Sequence, residues 1–216
     1  MGDLLKLSSD FTDYYDGYFN EYGMEYRRVK SDAMPRGRAL KYLESLGYNV
    51  ISLSQISIIQ GNPSKVVVYT DLYGHYGKGK IVCSYGEALD SYSNYLGAPY
   101  IEGTNGVSIK VIQVGSRRFR LLMRNTNYKS ELCHGAVLSI EEMSQEFNDL
   151  IRLPVFSVDY IPYNDAMLVI DFNETQELKS LGFESIMSPS EVVSEIKKSI
   201  YHYTKRVPFS FSVYNE

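Results

Sequence analysis

Three glycines fall within six residues in Tyr73-Gly74-His75-Tyr76-Gly77-Lys78-Gly79-Lys80. Glycines free the backbone to approach a phosphate closely, so that successive N–H groups point at its oxygens while Lys78 or Lys80 neutralises charge. No Lys-Ser or Lys-Thr pair opens a helix here, so this is not a P-loop. Ile81-Val82-Cys83 reads as a strand, so it is not a dinucleotide fingerprint either. A plain glycine-rich hairpin turn would use the same residues. A second grouping ends Val169-Ile170-Asp171-Phe172-Asn173-Glu174, where strand alternation puts Asp171 and Asn173 on one face. Both offer oxygen, which a hard cation such as Mg²⁺ takes, and Asp159 on the preceding strand adds a third donor if the register allows it. A four-residue Pro162–Asp165 turn pairs Ile161 with Ala166 and sends Asp159 to the face opposite Asp171. A five-residue turn returns it. The same polar residues would also suit a strand simply entering a turn. The third grouping is basic. Arg118, Arg120 and Arg124 share a strand face beside Arg117, with Lys110 on the partner strand. They could grip a phosphate or carboxylate, or line a solvated face.

Other chemistries lack their residues. His75, His134 and His202 are too dispersed for a metal triad, and no Gly-x-Ser-x-Gly elbow occurs. Adjacency of Cys133 and His134 does not make a nucleophile and its base. Two cysteines, Cys83 and Cys133, frame neither a disulfide network nor a zinc site. Asp10, Asp13 and Asp16, at i, i+3 and i+6, read as a solvated helix face.

These residues need elements to hold them, and the composition supports a packed core. Of 216 residues 44% are apolar and 13% aromatic, which excludes disorder, and no apolar run reaches membrane-spanning length. Met1-Gly2 is followed by neither a secretory h-region nor the Ser or Thr of a myristoylation signal, so the cytosol is the expected compartment. A net charge of -4 argues against bulk nucleic-acid binding. Twenty tyrosines and no tryptophan suit half-buried sheet surfaces or a ligand-lined cleft. Along the chain, a short strand and a helical or irregular segment occupy residues 4–30. Pro35 opens a helix through Ala39, Leu40, Leu43 and Leu46 that Gly47 ends. Strands are expected at Asn49–Leu53, Lys65–Thr70, Ile81–Cys83, Val107–Val114, Phe119–Arg124, Val155–Ile161 and Met167–Phe172. Helices are expected at Glu87–Tyr95, from the Ser139/Glu142 capping box to about Leu150, and from Ser188-Pro189-Ser190-Glu191 onward. The class is α+β, rich in hairpins.

In order, these pieces resemble the ATP-grasp superfamily over roughly residues 35–187. The run is Val66-Val67-Val68-Tyr69-Thr70, the glycine loop, Glu87-Ala88-Leu89 and the hinge-like Pro99-Tyr100-Ile101-Glu102-Gly103. Ser108 to Gly115, Arg124 beside Asn125 and Asn127, Ser157-Val158-Asp159 and Asp171-Phe172-Asn173 complete it. The opening Ser9-Asp10-Phe11-Thr12-Asp13-Tyr14-Tyr15-Asp16 resembles uncharacterised bacteriophage proteins, which would place the protein in a host cytoplasm. The resemblance implies antiparallel sheets with flanking helices and a nucleotide cleft between two lobes. Residues 35–103 and 104–187 would form the lobes, 1–34 a Tyr/Asp-rich N-terminal segment and 188–216 a C-terminal helix and tail.

It further implies ATP and Mg²⁺ as cofactors and ligation of a carboxylate to an amine, on a peptide, protein or small molecule, through an acyl phosphate. Gly74, Gly77 and Gly79 would line the phosphates with Lys78 or Lys80, and Tyr100, Ile101 and Glu102 would meet adenine. Arg124 would contact phosphate, and Asp159, Asp171 and Asn173 would hold Mg²⁺. The sequence departs from the pattern in three places. Tyr69 stands where a phosphate-contacting Lys is usual, so Lys65 or Lys110 would substitute, and Asp171 replaces a Glu. The segment before residue 35 is short for a substrate domain, which a second subunit of a homodimer would complete. Two alternatives follow: a nucleotide- or protein-binding module of the same fold without turnover, and a phage protein that binds or modifies nucleic acid.

Overall fold

The structure, a computed structural model, describes residues 5–24, 26–29, 34–73, 79–102, 106–124, 136–144, 151, 153–174, 178 and 181–206. Strand β1 (Leu5–Ser8) leads into helix α1 (Ser9–Glu21), and β1 pairs in parallel with β2 (Tyr26–Val29). Phe11, Tyr15 and Phe19 recur every four residues on α1, stacking one buried aromatic face. That face enters a core with Ile112, Phe119, Leu121, Phe183, Val192, Val193 and Ile196. The Tyr-rich start is therefore a core-building helix, while Asp13 stays exposed as its acidic spacing suggests.

Helix α2 (Arg36–Ser45) follows Pro35, which is the N-cap rather than the first helical residue. Gly47, at φ +87°, ends it by donating to the Glu44 carbonyl. The expected strand at Asn49–Leu53 reduces to one bridge of Val50 to Val169. There the main chain exchanges hydrogen bonds, Ile51 N to Val169 O and Val169 N to Asn49 O, before it turns away.

Two antiparallel sheets then form. One is four-stranded, in the order β3 (Ser54–Gln55), β6 (Leu96–Pro99), β4 (Lys65–Tyr69), β5 (Lys80–Ser84). Helix α3 (Tyr85–Tyr92) packs on it. A capping box of Ser84 and Glu87 starts α3, two residues earlier than expected. The other sheet is five-stranded. Its order is β11 (Ala166–Asn173), β10 (Val155–Tyr163), β7 (Val107–Val114), β8 (Arg117–Arg124), β9 (Ala136–Glu142). Helix α4 (Pro189–Arg206) opens on the expected Ser188/Glu191 capping box, with Ser188 N donating to Glu191 Oε2 at 2.7 Å and Glu191 N to Ser188 Oγ at 3.3 Å.

Strand β9 corrects the expected helix at Ser139. The capping-box signature is local, whereas the observed stabilisation is across strands. Glu142 accepts both arms of Arg117 at 2.7 Å, Glu141 pairs with Arg120, and Ile140 lies opposite Leu121. Cross-strand pairing overrides the capping preference. It also neutralises Arg117 and Arg120, while Arg118 donates to the uncharged amide oxygen of Gln113 on β7.

The β10–β11 hairpin settles the open register question by a route that turn length alone did not foresee. Its turn is two residues, Asn164 and Asp165, both at positive φ as a primed turn requires. Tyr163 pairs with Ala166, and that register continued would put Asp159 and Asp171 on opposite faces. Between Tyr160↔Val169 and Asp159↔Asp171, however, Ile170 is an extra residue. This β-bulge shifts the parity, so Asp159 lies directly opposite Asp171, and Ser157 opposite Asn173. Phe156, Val158 and Phe172 alternate to the reverse face and pack against Ala39, Leu40 and Leu43 of α2.

At the β7–β8 turn, Gly115 has φ +59°, and a Cβ there would sit 2.3 Å from the Glu195 carbonyl oxygen of α4. Gly115→Ala is expected to lose about 2 kcal/mol or more in urea unfolding, from strain and separation of α4 from the sheet. Wild-type stability in that variant would contradict the packing described.

Candidate functional site

The bulge collects a polar group on one face of β10, β11 and β7. Lys110 of β7 lies opposite Asp159 in register, with Nζ 2.5 Å from Asp159 Oδ1. The contact is an ion pair without hydrogen-bond alignment, because that buried oxygen has no hydrogen-bond partner. Lys110 also donates to Ser157 Oγ at 3.4 Å, and Asn173 Nδ2 donates to the same hydroxyl at 3.2 Å. Ser157 is fully buried and thereby holds two of the candidate site side chains at once. Committing the amide nitrogen of Asn173 to Ser157 leaves its oxygen as the ligand-capable atom.

Asp171 joins the two sheets. Its Oδ2 is 2.6 Å from Arg36 Nη1 at the start of α2 and 3.7 Å from Lys80 Nζ on β5, and its Oδ1 accepts from the Phe172 N–H. Burial alone would raise the carboxyl pKa. The attraction of Arg36 and Lys80, with a smaller part from Lys110, outweighs it and holds Asp171 below the usual carboxylate range. Burial likewise works against the charge of Arg36, and Asp171 more than restores it. The Arg36 guanidinium stands 5.1 Å over the ring of Tyr69, whose phenol is pushed up chiefly by burial. Tyr69 pairs with Lys80 across the β4–β5 ladder, so the two share a face.

The structure thus brings Asp159, Asp171, Asn173, Lys110 and Lys80 together. Gly79 stands at the base of the loop between β4 and β5, with φ +71° and its carbonyl accepting from Thr70 N at 2.8 Å. A Cβ there would meet Asp71 Cβ at 2.4 Å. Gly74, Gly77 and Lys78 lie outside the described residues. Lys65 sits at the far end of β4 from Tyr69, 3.8 Å from Glu102, with Tyr100 N donating to its carbonyl at 2.9 Å and Ile101 packed against the α2 core. These four residues form a separate, more exposed group. Arg124 is exposed, and the alternation of β8 puts it on the face opposite Lys110 and Asp159. Sequence reading did not single out Arg36 as a site residue. The available signal was an arginine in the first turn of a helix with no acidic residue there.

Among the described residues no three His, Cys, Asp or Glu side chains cluster as a metal site. The donors that do converge are two carboxylates facing each other across the ladder and one amide oxygen. This set fits Mg²⁺, which takes one or two carboxylates and fills its remaining positions with water and substrate phosphate. Because both carboxylates already lie against cations, metal entry requires Lys110, Lys80 or Arg36 to find another anion. Phosphate oxygens provide one, so the arrangement suits a metal that arrives with a polyphosphate.

No protein-family model matches the chain, and no curated protein matches it by sequence. Solved structures do. A RiPP-associated ATP-grasp ligase of Chryseobacterium gregarium, in complex with ADP and a leader and core peptide, superposes with a TM-score of 0.57 at 11% identity. The match covers 94% of this chain and 97% of that one. A RimK domain ATP-grasp protein of Sphaerobacter thermophilus gives 0.50 at 13% identity, covering 92% and 82%. The chain therefore has the ATP-grasp fold, α+β with two antiparallel sheets and flanking helices. No helix among the described residues is long and apolar enough to cross a membrane.

With its folded pKa depressed, Asp171 contributes stability that is complete above about pH 5 and is lost as the pH falls through about 4 and below. Asp171→Asn should flatten that acid limb and cost about 3–5 kcal/mol at neutral pH, because Arg36 is left buried without its counter-charge. Urea unfolding across pH checks this. An acid limb as steep as the wild type's would contradict it.

Proposed function

We propose that the protein is a compact Mg-ATP-dependent carboxylate–amine ligase. A substrate carboxylate oxygen attacks the γ-phosphorus and ADP leaves. An amine nitrogen then attacks the acyl carbon of the acyl phosphate, phosphate leaves, and an amide forms with loss of the amine proton. The observation that carries the reading is the bulge-aligned face where Asp159, Asp171 and Asn173 stand among Lys110, Lys80 and Arg36. Phosphoryl transfer asks a protein chiefly to position reactants and neutralise charge, and this face has the groups for both.

In this reading Asp159, Asp171 and the Asn173 oxygen hold Mg²⁺, which supplies neutralisation of phosphate charge. Lys110 and Lys80 turn from the carboxylates to phosphate oxygens. Ser157 keeps Lys110 and Asn173 in place throughout. The glycine loop, Gly74 to Gly79 with Lys78, covers the phosphates. Tyr100, Ile101 and Glu102, with Lys65 beside them, meet the adenosine at the opposite end of β4. A peptide or protein is the favoured substrate class. The likeness to a ligase solved with leader and core peptides, over 94% of this chain and 97% of that one, supports that choice.

Tyr69 favours a second reading, in which the same site binds nucleotide without turnover, since β4 brings no cation to that position. The nucleic-acid alternative is weakened by the pairing of Arg117 and Arg120 with Glu142 and Glu141.

Calorimetric titration with a non-hydrolysable ATP analogue should show binding that strengthens with Mg²⁺. Lys110→Met should weaken it by about 10-fold or more, the worth of one charged hydrogen bond. Absence of binding in either condition would overturn the nucleotide reading. Binding with no phosphate release from ATP, across a panel of peptides and amines, would select the non-catalytic reading instead.

A further inference from the structure

The reverse face of the five-stranded sheet is covered over part of its width. Helix α2 packs on Phe156, Val158 and Phe172 of β10 and β11. Farther across, on β7 and β8, the same face carries Val107, Ile109, Val111 and Leu122. All four are half-buried, and none joins a core cluster among the described residues. The solvent side of an antiparallel sheet is ordinarily polar, so an aliphatic row there marks an interaction surface. Leu138, the extra residue of the β8–β9 bulge, is 48% exposed at its edge. A basic row runs beside the aliphatic one. Arg118, Arg120 and Arg124 of β8 stand opposite Gln113, Val111 and Val107 of β7. Of the three, Arg120 alone has a carboxylate among the described residues, Glu141 of β9. Arg118, half-buried, meets the uncharged Gln113 amide oxygen at 3.1 Å, and Arg124 is exposed with no described acid against it. Two unanswered guanidinium groups therefore flank an uncovered apolar floor, a composition found at protein interfaces, where arginine is enriched.

We propose that this strip holds an acidic, extended segment of a partner protein, with its carboxylates on Arg118 and Arg124 and its apolar side chains on the β7 row. Arg118 and Arg124 are six residues apart, about 20 Å along a strand, so acids six apart in an extended chain reach both. The two rows lie on neighbouring strands about 5 Å apart, narrower than a helix of about 10 Å. An extended chain lying along them turns alternate side chains to the basic row and to the aliphatic row. Nucleic acid is a poorer match, because an aliphatic floor gives bases nothing to stack on and the net charge is -4. The sheet itself stands between this strip and the face that bears Lys110, Asp159 and Asp171. The held segment is therefore recognised and not modified, and it is held whether or not the nucleotide face is occupied.

The test titrates a capped synthetic peptide, Glu-Val-Ser-Leu-Ser-Val-Glu, into the ¹⁵N-labelled full chain at low salt and follows the amide NMR signals. Shifts are expected over residues 107–113 and 118–124, while the signals of Tyr69, Gly79 and Lys80 stay still. Arg118→Gln should weaken binding about 10-fold, as loss of a half-buried charged hydrogen bond does, and the exposed Arg124→Gln about threefold. Raising the salt to about 0.3 M should weaken it about threefold or more. The same residues reordered with the two glutamates adjacent, or glutamine in place of both, should bind about 10-fold more weakly. ADP with Mg²⁺ should leave the affinity within about twofold. The spectra of the variants, unchanged away from β7 and β8, serve as the check on folding. No binding at millimolar peptide overturns the proposal, and so does equal binding by both arginine variants. Shifts centred on Tyr69, Gly79 and Lys80, or displacement by ADP, place the acids on the nucleotide face and overturn it too. Tighter binding of a single-stranded oligothymidylate through the same arginines selects nucleic acid instead.

Discussion

The side-chain period of a strand is two, so the single extra residue at Ile170 decides which residues of β11 meet β10 on the polar face. Without it the two-residue Asn164-Asp165 turn would fix a register in which Asp171 faces the α2 core and Phe172 faces the polar side. With it, Asp159 and Asp171 oppose each other while Phe156, Val158 and Phe172 stay buried together. The bulge is held from outside the sheet as well, because Arg36 contacts both the Ile170 carbonyl and the Asp171 carboxylate. Helix α2, the four-stranded sheet through Lys80, and the five-stranded sheet through Asp171 are tied at this one point.

The polar group lies beside apolar packing that makes it rigid. Ile112, Phe119 and Leu121 continue the same face of the sheet toward α1 and α4, and Ser157 is enclosed at the boundary. Low local dielectric strengthens each ion pair there and penalises each unmade hydrogen bond. Both consequences are visible. Asp171 is held ionised despite its burial, and Arg36 Nε and Asp159 Oδ1 lack hydrogen-bond partners. Native structures leave few buried polar atoms unsatisfied, and two in one cluster, one acidic and one basic, suit a cation and an anion that arrive together.

Much of this was legible in the sequence. Hairpin strands, the α4 capping box, the Gly47 stop and the Asp171/Asn173 pair follow from alternation, capping and turn chemistry, which are local. What was not legible is long-range. The Ser139/Glu142 phrase reads as a helix start until Arg117 and Arg120 are placed opposite its acids. The bulge could not be read because a single extra residue shows only in how β11 pairs with β10, and that pairing is not written in the alternation of β11 alone. Arg36 was invisible as a site residue because its partner is 135 positions away and its local context, a helix start after proline, already explained its presence. The Phe11, Tyr15, Phe19 spacing was in view, and crowding by other tyrosines on α1 obscured it.

The most direct measurement is a crystal structure with ADP and Mn²⁺, the metal located by its anomalous scattering. A metal is expected between Asp159, Asp171 and the Asn173 amide oxygen, with Lys110 and Lys80 drawn onto the phosphates. A metal elsewhere, or nucleotide bound away from this face with the Lys110–Asp159 and Arg36–Asp171 pairs intact, would contradict it.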